Sequence, residues 1–416
     1  MSMFKSLIDN VKEMLYSEEY MERSKIRKVD FTRMRKMSFP DNVLLILKGT
    51  KHGLQAGLNE FFASIENDKE TYSKQAFSKG RLRIKPEAFH ELFKATVCKF
   101  YKEAAIKTYR GYRVTAIDGS RYNLPNSPEL RSIYGEQITK GQSQVQALTS
   151  CLYDVLNHML IDVCIYPCKS NERIIAEEHL ASLGNLKSDK YKELILLDRG
   201  YPSAQLIRRI ENYGYSYVMR CSTEFLKAVK FSGSDSIVTH TFSSLKDTPI
   251  SMRVIVLSLP NGSKEYLITN IIDSSFTSEE FGEIYKMRWE IETKYDDLKN
   301  KLQIENFSGT SDIVIKQDFY STMLLSNLVQ SIIYDNGEEI EALHSSDDNK
   351  YSYAMNIAMT ISELKTNFVK CFLCDNKLQF LHLQVRFSLQ IPGDYVSGDH
   401  LAARALAHFL ILHRRD

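Results

Sequence analysis

Tyr285, Arg288, Glu292 and Lys299 follow one another at intervals of three, four and seven residues. At about 100° per residue they fall within about 60° of each other on a helical wheel. A phenol, a guanidinium, a carboxylate and an ammonium on one stripe suit a polyanion, because cations and hydroxyls hold phosphate oxygens. Two more carboxylates end apolar runs: Asp118 follows Val114 to Ile117, and Asp198 follows Glu193 to Leu197. Taken singly, each aspartate reads as a strand-end turn residue and Glu292 as a solvated helix side chain. Taken together, adjacent strands and a covering helix could bring three carboxylates to one point. Such a set can hold two divalent cations, suited to activating water or a 3′-hydroxyl and to stabilising the leaving oxygen of a phosphodiester. Oxygen-only donors favour Mg²⁺.

The polar stripe needs a helix, and Glu280 to Gly309 reads as one long helix. Ser275 to Glu280 carry its capping signal, and Asn306 to Gly309 close it. Ile284, Met287, Ile291, Tyr295, Leu298 and Leu302 form its buried face. The aspartates need strands. Val114 to Asp118, Gln146 to Tyr153 and His158 to Tyr166 read as a meander, followed by a helix at Glu172 to Leu183. A strand to Asp198, a helix at Ala204 to Tyr213 and a strand at Tyr215 to Arg220 complete the unit. Three meander strands, then helix, strand, helix and strand, is the order of a ribonuclease-H-like α/β layer. Ser222 to Asn270 interrupts it with strand-forming residues and the hairpin signal Asn261-Gly262, and reads as an all-β insertion.

Residues 3 to 110 carry helical periodicity and two basic clusters. The first comprises Arg23, Lys25, Arg27, Lys28, Arg33, Arg35 and Lys36; the second comprises Lys74, Lys79, Arg81, Arg83 and Lys85. These are either phosphate-neutralising groups of a helical DNA-binding domain or solvated connections between helices. Residues 1–117 hold 23 Lys and Arg against 14 Asp and Glu, a net +9; the remainder holds 31 against 38, a net −7. This asymmetry points to an anionic polymer at one end. The expected organisation is a helical domain at 1–110, a core at 111–221 and 271–335, the insertion at 222–270, and a helical C-terminal region at 336–416.

With 43% apolar and 25% charged residues, the 416-residue chain can bury a substantial core. No apolar run is long enough for a membrane span, and the first ten residues do not read as a signal peptide. Seven scattered cysteines fit reduced thiols better than a disulfide framework. Cys371 and Cys374 lack a second ligand pair for zinc, and Cys164 and Cys168 read as packing residues. Asp154 and Asp162 read as turn and edge residues. The histidines show no ligand spacing, and no glycine-rich phosphate loop is present.

The pattern Y-x2-R-x3-E-x6-K at Tyr285, Arg288, Glu292 and Lys299 resembles the signature of DDE transposases of bacterial insertion sequences, in the insertion-sequence-four branch. Ile117-Asp118-Gly119-Ser120, Leu197-Asp198-Arg199-Gly200-Tyr201 and Thr269-Asn270 are similar to that family's other elements, as is Lys74 to Phe93. The resemblance covers roughly residues 70 to 335. It implies cut-and-paste transposition: a dimer on terminal inverted repeats, Mg²⁺-dependent nicking (with Mn²⁺ as a substitute), a DNA hairpin and joining to target DNA. It implies Asp118, Asp198 and Glu292 as metal ligands, with Tyr285, Arg288 and Lys299 on the DNA end. It further implies a bacterial cytoplasmic, nucleoid-associated enzyme. The family often stacks a flipped base on a tryptophan of the insertion, whereas the single tryptophan here is Trp289. Either Phe225, Phe231 or Phe242 takes that role, or the base is handled differently. The alternatives are a Mg²⁺-dependent nuclease without strand transfer and a silent DNA-binding relative.

Overall fold

The computed structural model describes residues 2–337, 352–373 and 387–390, apart from 34–35, 50–52, 65–71, 140, 230, 232 and 246–247. Helices fill the first hundred residues: α1 (Met3–Leu15), α2 (Glu18–Ser24), α3 (Phe39–Lys48), α4 (Leu54–Ser64), α5 (Lys74–Arg81) and α6 (Pro86–Glu103). Their starts are written locally. Ser2, Ser17, Ser38 and Ser73 each accept an otherwise orphaned backbone N–H, and Pro86 opens α6.

The sheet begins with β1 (Tyr112–Asn123), followed by α7 (Pro128–Tyr134), β2 (Glu136–Thr139), β3 (Gln142–Asp154) and β4 (Met159–Pro167). The turn after β3 is locked by Asp154, whose Oδ1 accepts the amides of Leu156 and Asn157 at 3.2 and 3.1 Å. Then come α8 (Glu172–Gly184), β5 (Lys192–Leu197), α9 (Ala204–Asn212) and β6 (Ser216–Arg220). β3 runs antiparallel to β1 and β4, while β1, β5 and β6 run parallel.

The stretch after β6 departs from expectation. It opens with a helix, α10 (Thr223–Val229), before β7 (Asp235–His240), β8 (Ile250–Ser258) and β9 (Lys264–Thr269), so it is not all β. It returns to the sheet at its end: β9 pairs with β6, and the strand order is β2-β3-β1-β5-β6-β9-β8-β7, with β4 on β3. The Asn261-Gly262 turn joins β8 to β9, with Gly262 at a φ of 78°, where a side chain would be strained.

Beyond β9 lie α11 (Ser278–Lys286), α12 (Trp289–Asp296), α13 (Asp312–Asp335), β10 (Ser352–Met355), α14 (Ile357–Leu373) and β11 (Phe387–Gln390). β10 stands within the C-terminal region expected to be helical. Most of the expected helical tail, together with Cys374, lies outside the described residues. α13 packs against α6, α3 and α1, so the N-terminal helices share a continuous core with the sheet-bearing part. Their apolar faces are covered from within the chain.

Candidate active site

β1 and β5 lie side by side in parallel, with Ile117 opposite Leu197, so the next residues, Asp118 and Asp198, emerge as neighbours. Asp198 ends its strand as expected. Asp118 does not: β1 continues to Asn123, paired with β3 alone. What ends at Ile117 is the pairing with β5, and Asp118 stands where the two strands part company.

The helix carrying the polar stripe is broken twice. α11 stops at Lys286, and the amides of Met287 and Arg288 bond three residues back, to Ile284 and Tyr285, at 3.1 Å each. α12 then runs into a wide π turn, Asp297–Lys301, in which the Leu302 amide reaches Asp297 O at 3.0 Å. Gln303, at a φ of 56°, ends the segment well before Gly309. Neither break contains proline or glycine. Both accompany anchored side chains, as mid-helix irregularities at functional sites commonly do. The apolar face holds as expected: Ile284, Ile291 and Leu298 are fully buried, with Tyr295 and Leu302 nearly so.

These elements bring the predicted groups together. The Tyr285 hydroxyl donates to Asp198 Oδ1 at 3.3 Å, and Arg288 Nη2 donates to Glu292 Oε1 at 2.8 Å. Lys299 Nζ donates to Ser120 Oγ at 2.9 Å, two residues along β1 from Asp118. Tyr295, on the same helix, donates to the Asp118 carbonyl at 2.6 Å. Burial first, then the charges of Asp198 and Glu292, push the Asp118 carboxyl up to about 6, against the Gly119 amide and the Arg288 guanidinium. Arg288 is only 4% exposed, and its Nε has no acceptor among the described residues. A buried orphan donor on a guanidinium beside these carboxylates suits an anionic oxygen.

The residues fit a hard divalent cation by donor type, all oxygen, and by the mutual repulsion such an ion would relieve. Their ligand atoms stand apart, however, with Glu292 held by Arg288. Among the described residues, three His, Cys or carboxylate ligand atoms gather within 4.8 Å of one another at Asp162, Cys164 and His179 instead. Asp162 lies on an edge strand as expected, since β4 pairs with β3 alone, but it is buried there, and sequence spacing missed His179.

The motif neighbours acquire physical roles. A Cβ at Gly119 would lie 2.9 Å from Glu172 Oε2, so glycine there admits a fourth carboxylate, from the start of α8. The Tyr201 hydroxyl donates to that oxygen at 3.3 Å. Asn270 extends β9 with its side chain, accepting the Tyr217 amide at 3.0 Å and donating to Tyr215 O at 2.9 Å.

The basic residues divide. Lys74 and Lys79 are exposed on α5. Arg81 is not: its guanidinium is buried, bonded to Gln317 at 2.9 Å, Ser308 at 2.5 Å and Asp318 at 2.8 Å. It ties α5 to α13 and has no open donor face for a phosphate. Arg83 is half-buried, 3.8 Å from Asp30. Arg23, Lys25 and Arg27 pair with Glu91, Glu22 and Asp30. Trp289 is 61% exposed, with the Arg288 guanidinium 5.6 Å from its ring. Phe225 packs with its ring tilted against Phe242 at 5.6 Å, and Phe231 meets Tyr266 edge to face at 6.1 Å.

The sequence model of the family described as "Transposase DDE domain" matches residues 109–328, more than half of the chain and all of this geometry. The chain belongs to the DDE transposases. The transposase InsG of insertion sequence element IS4 from Escherichia coli is 23% identical over 332 residues, covering 76% of this chain and 73% of its own length. A second Escherichia coli protein, InsZ, is 25% identical over 146 residues, covering 34% of this chain and 47% of its own. Among solved structures, a piggyBac transposase synaptic complex with hairpin DNA aligns at a TM-score of 0.48 and 9% identity, covering 94% of this chain and 87% of that one. No described helix is long and apolar enough to cross a membrane.

Proposed function

We propose that this transposase cuts and joins DNA ends at the site formed by Asp118, Asp198 and Glu292, on a ribonuclease-H-like core. The observation that carries the reading is the meeting of two aspartates from parallel strands with a glutamate from α12, beside a buried arginine with an unused donor. The strand order around β1, three antiparallel strands followed by two parallel ones, supports the core assignment.

In this reading Asp118, Asp198 and Glu292 hold Mg²⁺, or Mn²⁺ in its place, and that group supplies Lewis-acid polarisation of the scissile phosphate. Arg288 offers Nε to a phosphate oxygen of the DNA end and releases part of its hold on Glu292. Tyr285 orients Asp198 and contributes its ring to the wall beside Arg288. Lys299 neutralises phosphate charge further along β1. Lys74 and Lys79, and more weakly Arg83, neutralise backbone phosphates outside the site. Two copies engage two element ends; water opens one strand at each end, the 3′-hydroxyl attacks the opposite strand to give a hairpin, and the reopened ends join target DNA.

The test is incubation with a plasmid carrying the element's terminal repeats and Mg²⁺. Hairpin-ended excised DNA and joined products are expected, with Glu292→Gln abolishing both while end binding persists. Released ends without joined products would favour a nuclease. Undiminished cleavage by Glu292→Gln would overturn the ligand assignment.

A further inference from the structure

A second polar cluster lies on the opposite face of β1 and β3. Ser150 and Cys151 are successive on β3 and so point to opposite faces. Cys151 meets Tyr295 of α12, while Ser150 meets His179 of α8. His179 Nδ1 lies 3.0 Å from Asp162 Oδ2, its Nε2 lies 3.0 Å from Ser150 Oγ, and Ser150 Oγ lies 3.2 Å from the Asp118 carbonyl oxygen. Asp162, His179 and Ser150 are all buried.

Counting hydrogens orders this chain. A carbonyl oxygen only accepts, so the single Ser150 hydrogen points to Asp118. Ser150 can then only accept from His179, which places a hydrogen on Nε2. Burial works against ionisation of Asp162, yet its hydrogen bond with His179, with the His90 ring nearby, holds its carboxyl well below the usual range. Asp162 Oδ2 engages the other ring nitrogen, Nδ1, so the imidazole is fixed between Asp162 and Ser150. A buried polar chain of this kind is no route to stability, since apolar residues of the same shape usually serve as well or better.

The Asp118 peptide has reason to need such support. It has just lost β5 as a neighbour, and its side chain is repelled by Asp198 and Glu292. Tyr295 holds its carbonyl from one face and Ser150 from the other. Cys164 completes the ligand-like cluster with Asp162 and His179, but burial pushes its thiol up, away from the thiolate that a metal takes, and both His179 nitrogens are engaged.

We propose that Asp162, His179 and Ser150 are positioning residues that set Asp118 for cation binding by fixing its backbone carbonyl. This rests on the reading of Asp118 as a cation ligand. The test measures Mn²⁺ affinity of the DNA-free protein by electron paramagnetic resonance, beside melting in EDTA, for wild type, Asp118→Asn, Ser150→Ala, Ser150→Thr and the paired His179→Leu/Asp162→Leu. Ser150→Ala should fold as wild type yet bind Mn²⁺ about 10-fold more weakly, the scale of loss for groups that orient metal ligands. Ser150→Thr, which keeps the hydroxyl, should recover most of the affinity, and nitrogen NMR should show a hydrogen on His179 Nε2.

Unchanged Mn²⁺ affinity in Ser150→Ala overturns the brace, whether or not the paired variant folds. If wild type and Asp118→Asn bind Mn²⁺ equally, the ligand reading beneath it fails instead. Stoichiometric zinc in the purified protein, lost in Cys164→Ser, would replace the brace with a metal site.

Discussion

The two faces of the strand pair β1 and β3 carry polar clusters built on opposite plans. Toward α12 the cluster is open: the carboxylates of Asp118, Asp198 and Glu292 face one site but stand apart, burial pushes Asp118 up to about 6, and Arg288 Nε lacks a partner among the described residues. Toward α8 the cluster is nearly closed: Ser150, His179 and Asp162 bond in series, and Asp162 Oδ1 remains unpaired with His90 Nε2 3.8 Å away. Frustrated charge marks the place where a ligand is expected, and satisfied charge marks the place where geometry is held. Neither cluster would be distinguished by a tally of acidic residues.

The comparison breaks or sharpens under substitution. The largest effect is expected from the open side: Glu292→Gln should lower Mg²⁺-dependent strand cleavage by on the order of 10³-fold or more, read on repeat-bearing plasmid, since a bound cation contributes several kcal/mol. Its melting temperature should scarcely move. On the closed side the effects reverse. Asp162→Leu alone leaves His179 Nδ1 buried without its partner and should cost about 1–3 kcal/mol of stability in denaturant unfolding, whereas pairing it with His179→Leu should restore most of that loss.

Asp118→Asn should stabilise the metal-free protein at pH 7 by about 1–3 kcal/mol while abolishing cleavage. The sign follows from the raised folded pKa. The favourable contribution of the neutral carboxyl is present below its unfolded value and is lost as pH rises through about 6. Melts in EDTA should therefore separate wild type and variant at pH 7 and bring them together near pH 4. The smallest effect on stability belongs to Trp289→Ala, within about 0.5 kcal/mol for so exposed a side chain. If its melting temperature falls steeply instead, Trp289 is packed rather than open to solvent.

What the sequence shows of this molecule depends on how local each signal is. The Asn261-Gly262 hairpin and the order of strands and helices from β3 to β6 are written within a few residues, and the structure places them as expected. The stripe from Tyr285 to Lys299 was legible because successive helical turns carry it, across the breaks at both ends of α12. The brace was not: Ser150, Asp162 and His179 come from three elements, and no interval between them is a ligand spacing. Arg81 misled for the same reason. Its partners Gln317 and Asp318 lie more than two hundred residues away, so in sequence it was indistinguishable from exposed Lys79. The two breaks around α12 were also hidden, because neither uses a residue that breaks helices.

The wide turn at Asp297–Lys301 holds one letter more than a regular helix of the same height would spell. Its length is therefore part of its meaning, and the segment should tolerate exchange of letters far better than gain of another. Adding a residue beside Asn300, where one surplus is already absorbed, would turn everything downstream by about 100°. Leu302 and Ile304 would then face outward, and Glu305 would leave the Asn123 amide that it now holds at 2.8 Å. A single added codon there would act as a change of reading phase in three dimensions, with the genetic frame intact.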